Sequence, residues 1–372
     1  MDKPNIIFIL VDGVRHDTIK DMPFFSTLQG TLFNRMFAYA PYSIASLHSI
    51  FTGKYGKETG VDNYYGAPNF RKECRTLPQF LKEHGYFTIG DAMNDMVIPG
   101  QGFDVLTIQK GFEEEKVIEN AEEMIARHKN ILNTVEDIKK PLFVYLHCSI
   151  VHNLIVKNVV KKYTDTSEEY FSNREGNQKM FSSYVKEADA YLKSIFDELE
   201  KKGLIENSVI ILASDHGTST GERAGEKVYG SFCYDYTLNT FALFLNKERF
   251  PELEVSKLVR SVDIMPTILD MLKINFNEQE FRGSSLMPFL GNPDEKSRIA
   301  FSETGGLGGP APSPKKPNVK AIRTEDWKLI INTSTNKREL YDMKNDPDEK
   351  NNLAGKGLDI EEKLWPLLEK EM

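Results

Sequence analysis

Three stretches of the chain are apolar without alternation: "NIIFILVDG" from Asn5, "PLFVYLHCSIVH" from Pro141 and "NSVIILASDHG" from Asn207. A continuous β-branched run reads as a strand buried on both faces, as in a parallel sheet. Between the second and third runs the period changes. Val185, Ala188, Leu192, Ile195 and Leu199 recur three or four residues apart, and Gly203 supplies a helix stop. Strands alternating with helices predict an α/β fold, a doubly wound and mostly parallel sheet sandwiched by helices.

The texture shifts after about Pro293. "TGGLGGPAPSPKKPN" reads as a long loop. "VKAIRTEDWKLIINTSTNKRELYDM" then predicts a small antiparallel unit, with Arg323, Trp327 and Lys328 assigned to hairpin packing and surface charge. "DIEEKLWPLLEKEM" predicts a closing helix. The expected organisation is a catalytic α/β region over 1–295 and a small C-terminal sheet-plus-helix subdomain over 296–372, packed on it. No internal repeat is visible.

Composition narrows the picture. A chain of 372 residues can bury a large α/β core. The formal net charge of −8 argues against a general nucleic-acid binder, so an anionic substrate would need local cations. Cys74, Cys148 and Cys233 are far apart and suggest neither a disulfide framework nor a thiolate metal site. The apolar run Ile6–Val11 is too short for a signal peptide or a spanning helix. The expectation is a soluble, cytoplasmic protein without a membrane partner. Association between copies of the chain is left open.

In doubly wound folds, ligands bind outside the carboxyl ends of the strands. Asp12, His152, Asp215 and His216 all lie at or just past such an end. Carboxylates with imidazole suit a divalent metal, from Mg or Mn through to Zn. Asp-Gly after a strand is also a common plain turn. "SDHG" is the sharper signal, because two ligand types adjoin directly after an apolar run.

"SIASLHSIFTG" reads as a short helix with Ser43 at its N-cap and Gly53 as its stop. Capping alone would explain a serine there. The same position gathers free N–H groups and positive partial charge, which suit a tetrahedral anion. A serine hydroxyl held there against a metal could attack phosphorus or sulfur.

Taken together, these motifs resemble the sulfatase family of the alkaline phosphatase superfamily, nearly end to end. "NIIFILVDGVRHD" is similar to the family's opening strand with its metal-binding acid. "APYSIASLHSIFTGKYGKETGV" resembles the nucleophile helix, and "TLPQFLKEHGYFTIGDAMN", which ends at Asn94, the next helix–strand unit. "YVKEADAYLKSIFDELEKKGLIENSVIILASDHG", "VDIMPTILDML" and "ELYDMKNDPDEKNNLA" match later signatures. The resemblance implies an alkaline phosphatase-like fold. It implies Ser43 as nucleophile and Asp12, Ser43, Asp215 and His216 around one divalent ion (Mn, Mg, Ca or Zn). His152 would stand near the leaving oxygen and Lys227 on the substrate. His147, Asn94 and Tyr229 are further substrate-side candidates, and His147 could also be recruited to a second metal. Arg15 and Asp17 are expected to support the first loop.

The departures bear on subclass. The family's nucleophile motif has Cys or Ser, then Pro or Ala two residues on, then Arg four on, and its first residue becomes formylglycine. Here those positions are Ser43, Ala45 and Leu47. Without the arginine, Ser43 is expected to stay a serine. The usual second acid after the first strand is Gly13, and the family's Asp-Pro-His is Ile150-Val151-His152. A phosphoseryl ester is easier to release than a sulfoseryl one. The expected activity is therefore hydrolysis or transfer of a small anionic phosphate ester, phosphodiester or phosphomonoester. A sulfuric ester hydrolase is the alternative, and a non-catalytic metal-binding member a second alternative.

Overall fold

The computed structural model describes residues 3–109, 119–160, 168–305 and 316–372. The strands are β1 Asn5–Val11, β2 Thr31–Phe37, β3 Phe87–Ala92, β4 Val105–Ile108, β5 Leu142–Cys148, β6 Ser208–Ala213, β7 Asn239–Leu245, β8 Leu253–Val255 and β9 Val259–Arg260. They form one nine-stranded sheet, ordered β4-β3-β5-β1-β6-β7-β2-β8, with β9 also pairing β2. The three apolar runs are its central trio, β5-β1-β6. Every residue of these strands is buried, which is why they lack alternation. Ile6 faces Phe143 on one side and Val209 on the other, and both pairings are parallel. β7 runs antiparallel to β6 and β2, so the sheet is mixed but mostly parallel.

The helical period between β5 and β6 belongs to one long helix, Arg174–Lys201, with Val185, Ala188, Leu192, Ile195 and Leu199 all on its buried side. Gly203, at φ +65, follows its end. The helix Ser43–Thr52 is buried along its whole length. Phe51 meets Tyr145 of β5 edge-on at 5.0 Å, and Tyr145 meets Phe8 of β1 at 5.7 Å. These aromatic contacts seat the helix over the middle of the sheet, with its first residue at the strands' carboxyl ends.

A second sheet follows: β10 Ala300–Thr304, β11 Val319–Arg323, β12 Trp327–Asn332 and β13 Lys337–Asp342, all antiparallel neighbours. The helix Asp359–Glu371 closes the chain. Most of the Gly- and Pro-rich stretch 304–317 lies outside the described residues. The two sheets share apolar packing: Phe301, Leu329, Leu340, Leu364 and Leu368 join the same core as β1 and β6.

Lys328 is not surface charge. It is fully buried, with Nζ 2.7 Å from both Asp235 Oδ1 and Glu349 Oε1. Arg323 Nε lies 3.3 Å from Asp235 Oδ2. The small sheet has its other face on Phe37, Tyr234 and Leu238, so its hairpin charges point into protein.

Candidate active site

Strand ends and one helix end meet at four buried side chains. Asp12 follows β1, Asp215 and His216 follow β6, and Ser43 opens the helix Ser43–Thr52. Ser43 Oγ lies 3.3 Å from Asp12 Oδ2 and 3.2 Å from His216 Nε2. Ser43 does not cap the helix as expected. The cap is Tyr42, extended at φ −160 and ψ 154, whose carbonyl accepts from Ser46 N–H. The Ser43 hydroxyl is thereby turned onto the Asp12–His216 pair rather than onto a backbone N–H. Gly53, at φ +66, ends the helix as predicted.

Each ligand-type group is held from behind. Asp215 Oδ1 accepts from the N–H groups of His216, at 3.0 Å, and Gly13, at 3.3 Å. His216 Nδ1 lies 2.8 Å from the Gly217 carbonyl, which can only accept. Nδ1 therefore carries the proton, and Nε2 presents its lone pair to Asp12 and Ser43. Ser46, one turn on from Ser43, donates to the Asp215 carbonyl at 2.7 Å. Gly13 sits at φ +75, and a Cβ there would come 3.1 Å from Thr218 Oγ1. The glycine in place of an acid thus suits a left-handed turn packed against the β6 loop.

The electrostatics suit a divalent cation. Burial opposes ionisation of Asp12, yet the His147 hydrogen bond and the nearby His152 and His216 hold it well below the usual carboxylate range. Asp215 is pushed up instead, first by burial and then by the charge of Asp12. Asp12 Oδ1 and Asp215 Oδ2 are buried without hydrogen-bond partners. Ligand atoms of Asp12, Asp215 and His216 lie within 4.8 Å of one another. Two facing buried carboxylates, two idle oxygens and an imidazole lone pair are the donor set a divalent cation requires. Among the described residues, this is the one His/Cys/Asp/Glu group so arranged.

The other candidates divide. His152 stands in the short helix Ile150–Asn158 directly after β5, with Nδ1 3.9 Å from Asp12 Oδ1 and 3.3 Å from Tyr229 Oη. Burial lowers its pKa. Tyr229 covers His216, ring to ring at 4.7 Å. His152, Tyr229, Asn94 and Ser43 line one small cleft of about 20 Å³, room for about one water. His147 is not in that wall. It lies behind Asp12, with Nε2 3.0 Å from Oδ2 and Nδ1 3.2 Å from Tyr145 Oη, so it orients the acid. Lys227 has its Nζ over the Tyr170 ring, 5.2 Å from the centroid. Arg15 grips Asp17 through two bonds of 2.8 Å and reaches Glu222 at 2.5 Å, tying the first loop to the loop after β6.

Sequence reasoning passed over Tyr42, Ile44, Tyr64, Met93, Met96 and Val97, which also line the cleft. The one available signal was the tyrosine pair in "VDNYYG" soon after the helix Ser43–Thr52.

A mostly parallel sheet between helices, with a small antiparallel sheet after it, is the alkaline phosphatase-like fold. The profile described as Sulfatase matches residues 4–274, and the chain belongs to the sulfatase family. A second profile, N-sulphoglucosamine sulphohydrolase, C-terminal, matches residues 231–371. Arylsulfatase K of Bos taurus is 30% identical over 184 residues, 46% of this chain and 32% of that protein. An N-acetylglucosamine-6-O-sulfatase of Bacteroides thetaiotaomicron is 29% identical over 181 residues, 45% of this chain and 32% of that protein. The matches thus span about a third of these relatives. Among solved structures, one determined with its substrate D-glucosamine-2-N,6-O-disulfate superposes with a TM-score of 0.80 at 21% identity, covering 100% of this chain and 97% of the other. A phosphonate monoester hydrolase of Agrobacterium radiobacter superposes at 0.77 with 17% identity, covering 100% and 96%. At such identities these two speak for the fold alone.

The expectation of a phosphate ester is overturned by these findings. The relatives matched by sequence carry sulfatase names. The release argument concerned how readily a seryl ester breaks down, which says nothing of which anion is bound first.

Proposed function

We propose that the protein hydrolyses a sulfuric ester of a small anionic substrate. Ser43 is the attacking residue, and Asp12, Asp215 and His216, with Ser43, hold one divalent cation. The observation that carries this is the approach of Ser43 Oγ to both Asp12 and His216, at 3.3 and 3.2 Å, inside a chain whose sequence relatives are named sulfatases. The cation, when bound, neutralises the facing carboxylates and favours the alkoxide form of a nearby hydroxyl.

The chain's own groups do the rest. The N–H groups at the start of the Ser43 helix face the anion. Ser43 Oγ, its proton released to solvent, attacks sulfur as the bond from sulfur to the ester oxygen breaks. His152 gives a proton to the departing alcohol. Water then attacks sulfur, the bond to Oγ breaks, and Ser43 regains its proton as sulfate leaves.

The test is turnover of p-nitrophenyl sulfate after dialysis against chelator and readdition of Ca, Mg, Mn or Zn. Metal-dependent release of p-nitrophenol, lost in Ser43→Ala, supports the reading. Cleavage of p-nitrophenyl phosphate but not of the sulfate overturns it. Metal binding without turnover of any ester does so too.

A further inference from the structure

A second buried polar network joins β3 to three helices. His128, on the helix Ala121–Thr134, has Nε2 3.1 Å from Asp91 Oδ1 and Nδ1 2.6 Å from Tyr191 Oη, and His128 and Asp91 are fully buried. The ionised carboxylate can only accept, so Nε2 carries the proton and Nδ1 accepts from the Tyr191 hydroxyl. Burial opposes the charge on Asp91, yet its bonds to His128 and Arg127 hold the carboxyl below its usual range. Arg127 pairs with Asp91 through Nη1. Its other edge grips the Glu119 carboxylate, with Nε at 2.8 Å and Nη2 at 2.7 Å. The Glu119 carbonyl in turn accepts from Asn153 Nδ2 at 3.1 Å.

Both ends of this network lie next to the cleft at Ser43. Asp91 stands two residues before Met93 and three before Asn94, and Asn153 follows His152 directly. Met93, Asn94 and His152 all line the cleft. The helix Ile150–Asn158 starts without a side-chain cap bond at Ser149, and Asn153 ties its first turn to Glu119. Replacing a buried ion network by apolar side chains is often neutral or stabilising, so stability alone does not account for this one. What a fully bonded network adds is a single fixed geometry.

We infer that Arg127 and Asn153 are positioning residues for the reaction: through Glu119 they fix the first turn of the helix Ile150–Asn158, and with it the place from which His152 gives its proton to the departing alcohol. The inference rests on the sulfuric-ester reading and deepens it. A proton donor acts only within hydrogen-bond reach of the oxygen it serves, and a misplacement of about 1 Å can cost about a hundredfold in rate. The effect depends on what departs. Phenol, with a pKa of about 10 like the tyrosine side chain, needs the proton as its bond to sulfur breaks. p-Nitrophenol leaves as a stabilised anion and needs it far less. A positioning defect at His152 therefore falls on the poor leaving group, whereas a general loss of structure falls on both.

Two measurements test it on the metal-loaded protein. The first compares phenyl sulfate with p-nitrophenyl sulfate in wild type, Asn153→Leu and Arg127→Lys. Asn153→Leu removes the donor to Glu119 at nearly constant volume, and Arg127→Lys keeps the charge beside Asp91 but loses the two-pronged grip. Each variant should lower kcat for phenyl sulfate by about ten- to a hundredfold, with kcat for p-nitrophenyl sulfate within about threefold and both KM values within about twofold. The second records the ring carbon–proton NMR signals of the histidines at one pH. Those of His152 should move in Asn153→Leu, while those of His84 stay. Equal losses on the two esters, or an unmoved His152 signal, overturn the positioning role and leave the sulfuric-ester reading standing. If neither sulfate ester is turned over by wild type, the sulfuric-ester reading falls, and the His152 signal alone decides the positioning role.

Discussion

Ser43 Oγ stands 3.2 Å from His216 Nε2, with the imidazole's other nitrogen committed to the Gly217 carbonyl. The relationship fixes which nitrogen is free and what it faces. It also separates Ser43 from an ordinary capping serine, whose hydroxyl would bond a backbone N–H of its own helix.

The metal cluster should show itself through opposite signs. In the absence of metal, Asp215→Asn should raise the melting temperature, because it removes one of two facing buried carboxylates. With metal, wild type should gain about 3 kcal/mol at an ion concentration near a hundred times Kd, and the variant should gain little. Differential scanning fluorimetry with and without chelator reads both, and elemental analysis should find one ion per wild-type chain. Equal metal responses in the two proteins would exclude Asp215 as a ligand.

Leu47 is fully buried in the core, where the formylglycine motif has an arginine. Ser43 is therefore expected unmodified in the purified protein. Mass spectrometry of the tryptic peptide between Arg35 and Lys54 should give the mass calculated from the sequence. A mass lower by about 2 Da would mean oxidation to the aldehyde, and with it a different second step.

Glu226 is fully buried and accepts from the N–H groups of Ser231, at 2.7 Å, and Phe232, at 2.9 Å. Burial outweighs those bonds and pushes its pKa up to about 7. A carboxyl with a raised folded pKa contributes its full stability below the unfolded value, near 4.5. That contribution falls away as pH rises through about 7. Glu226→Gln should flatten this dependence, so that the variant gains on wild type by roughly 2–3 kcal/mol between about pH 5 and pH 8. Parallel stability curves for the two proteins would exclude Glu226 as the titrating group.

Lys328 is a different case, a fully buried cation between two carboxylates. Lys328→Ala should destabilise by roughly 3–5 kcal/mol, because Asp235 and Glu349 are left facing each other. Urea midpoints at unchanged slope measure it. A loss below about 1 kcal/mol would mean that water reaches the pair.

The contrast between Lys328 and the Asp12–Asp215–His216 cluster shows where the sequence was readable. Asp12, Asp215 and His216 follow strands so apolar that their position in the sheet could be inferred, and strand ends meet at one edge by topology alone. Lys328 sits on a short alternating hairpin, whose pattern shows two faces but not that both are covered. Ser43 was displaced from its expected cap by a single residue, and that shift decides what its hydroxyl touches. The outer strands β2, β7, β8 and β9 and the antiparallel sense of β7 depend on long-range pairing. Tyr64 and Met96 lie on turns whose approach to Ser43 no local period encodes.

The most direct measurement is the mass of the peptide carrying Ser43 during turnover of p-nitrophenyl sulfate by the metal-loaded protein. The account predicts a transient gain of about 80 Da on Ser43 and a burst of p-nitrophenol of one per chain before a slower steady rate. Turnover at full rate with the peptide unchanged, or retained in Ser43→Ala, would contradict it.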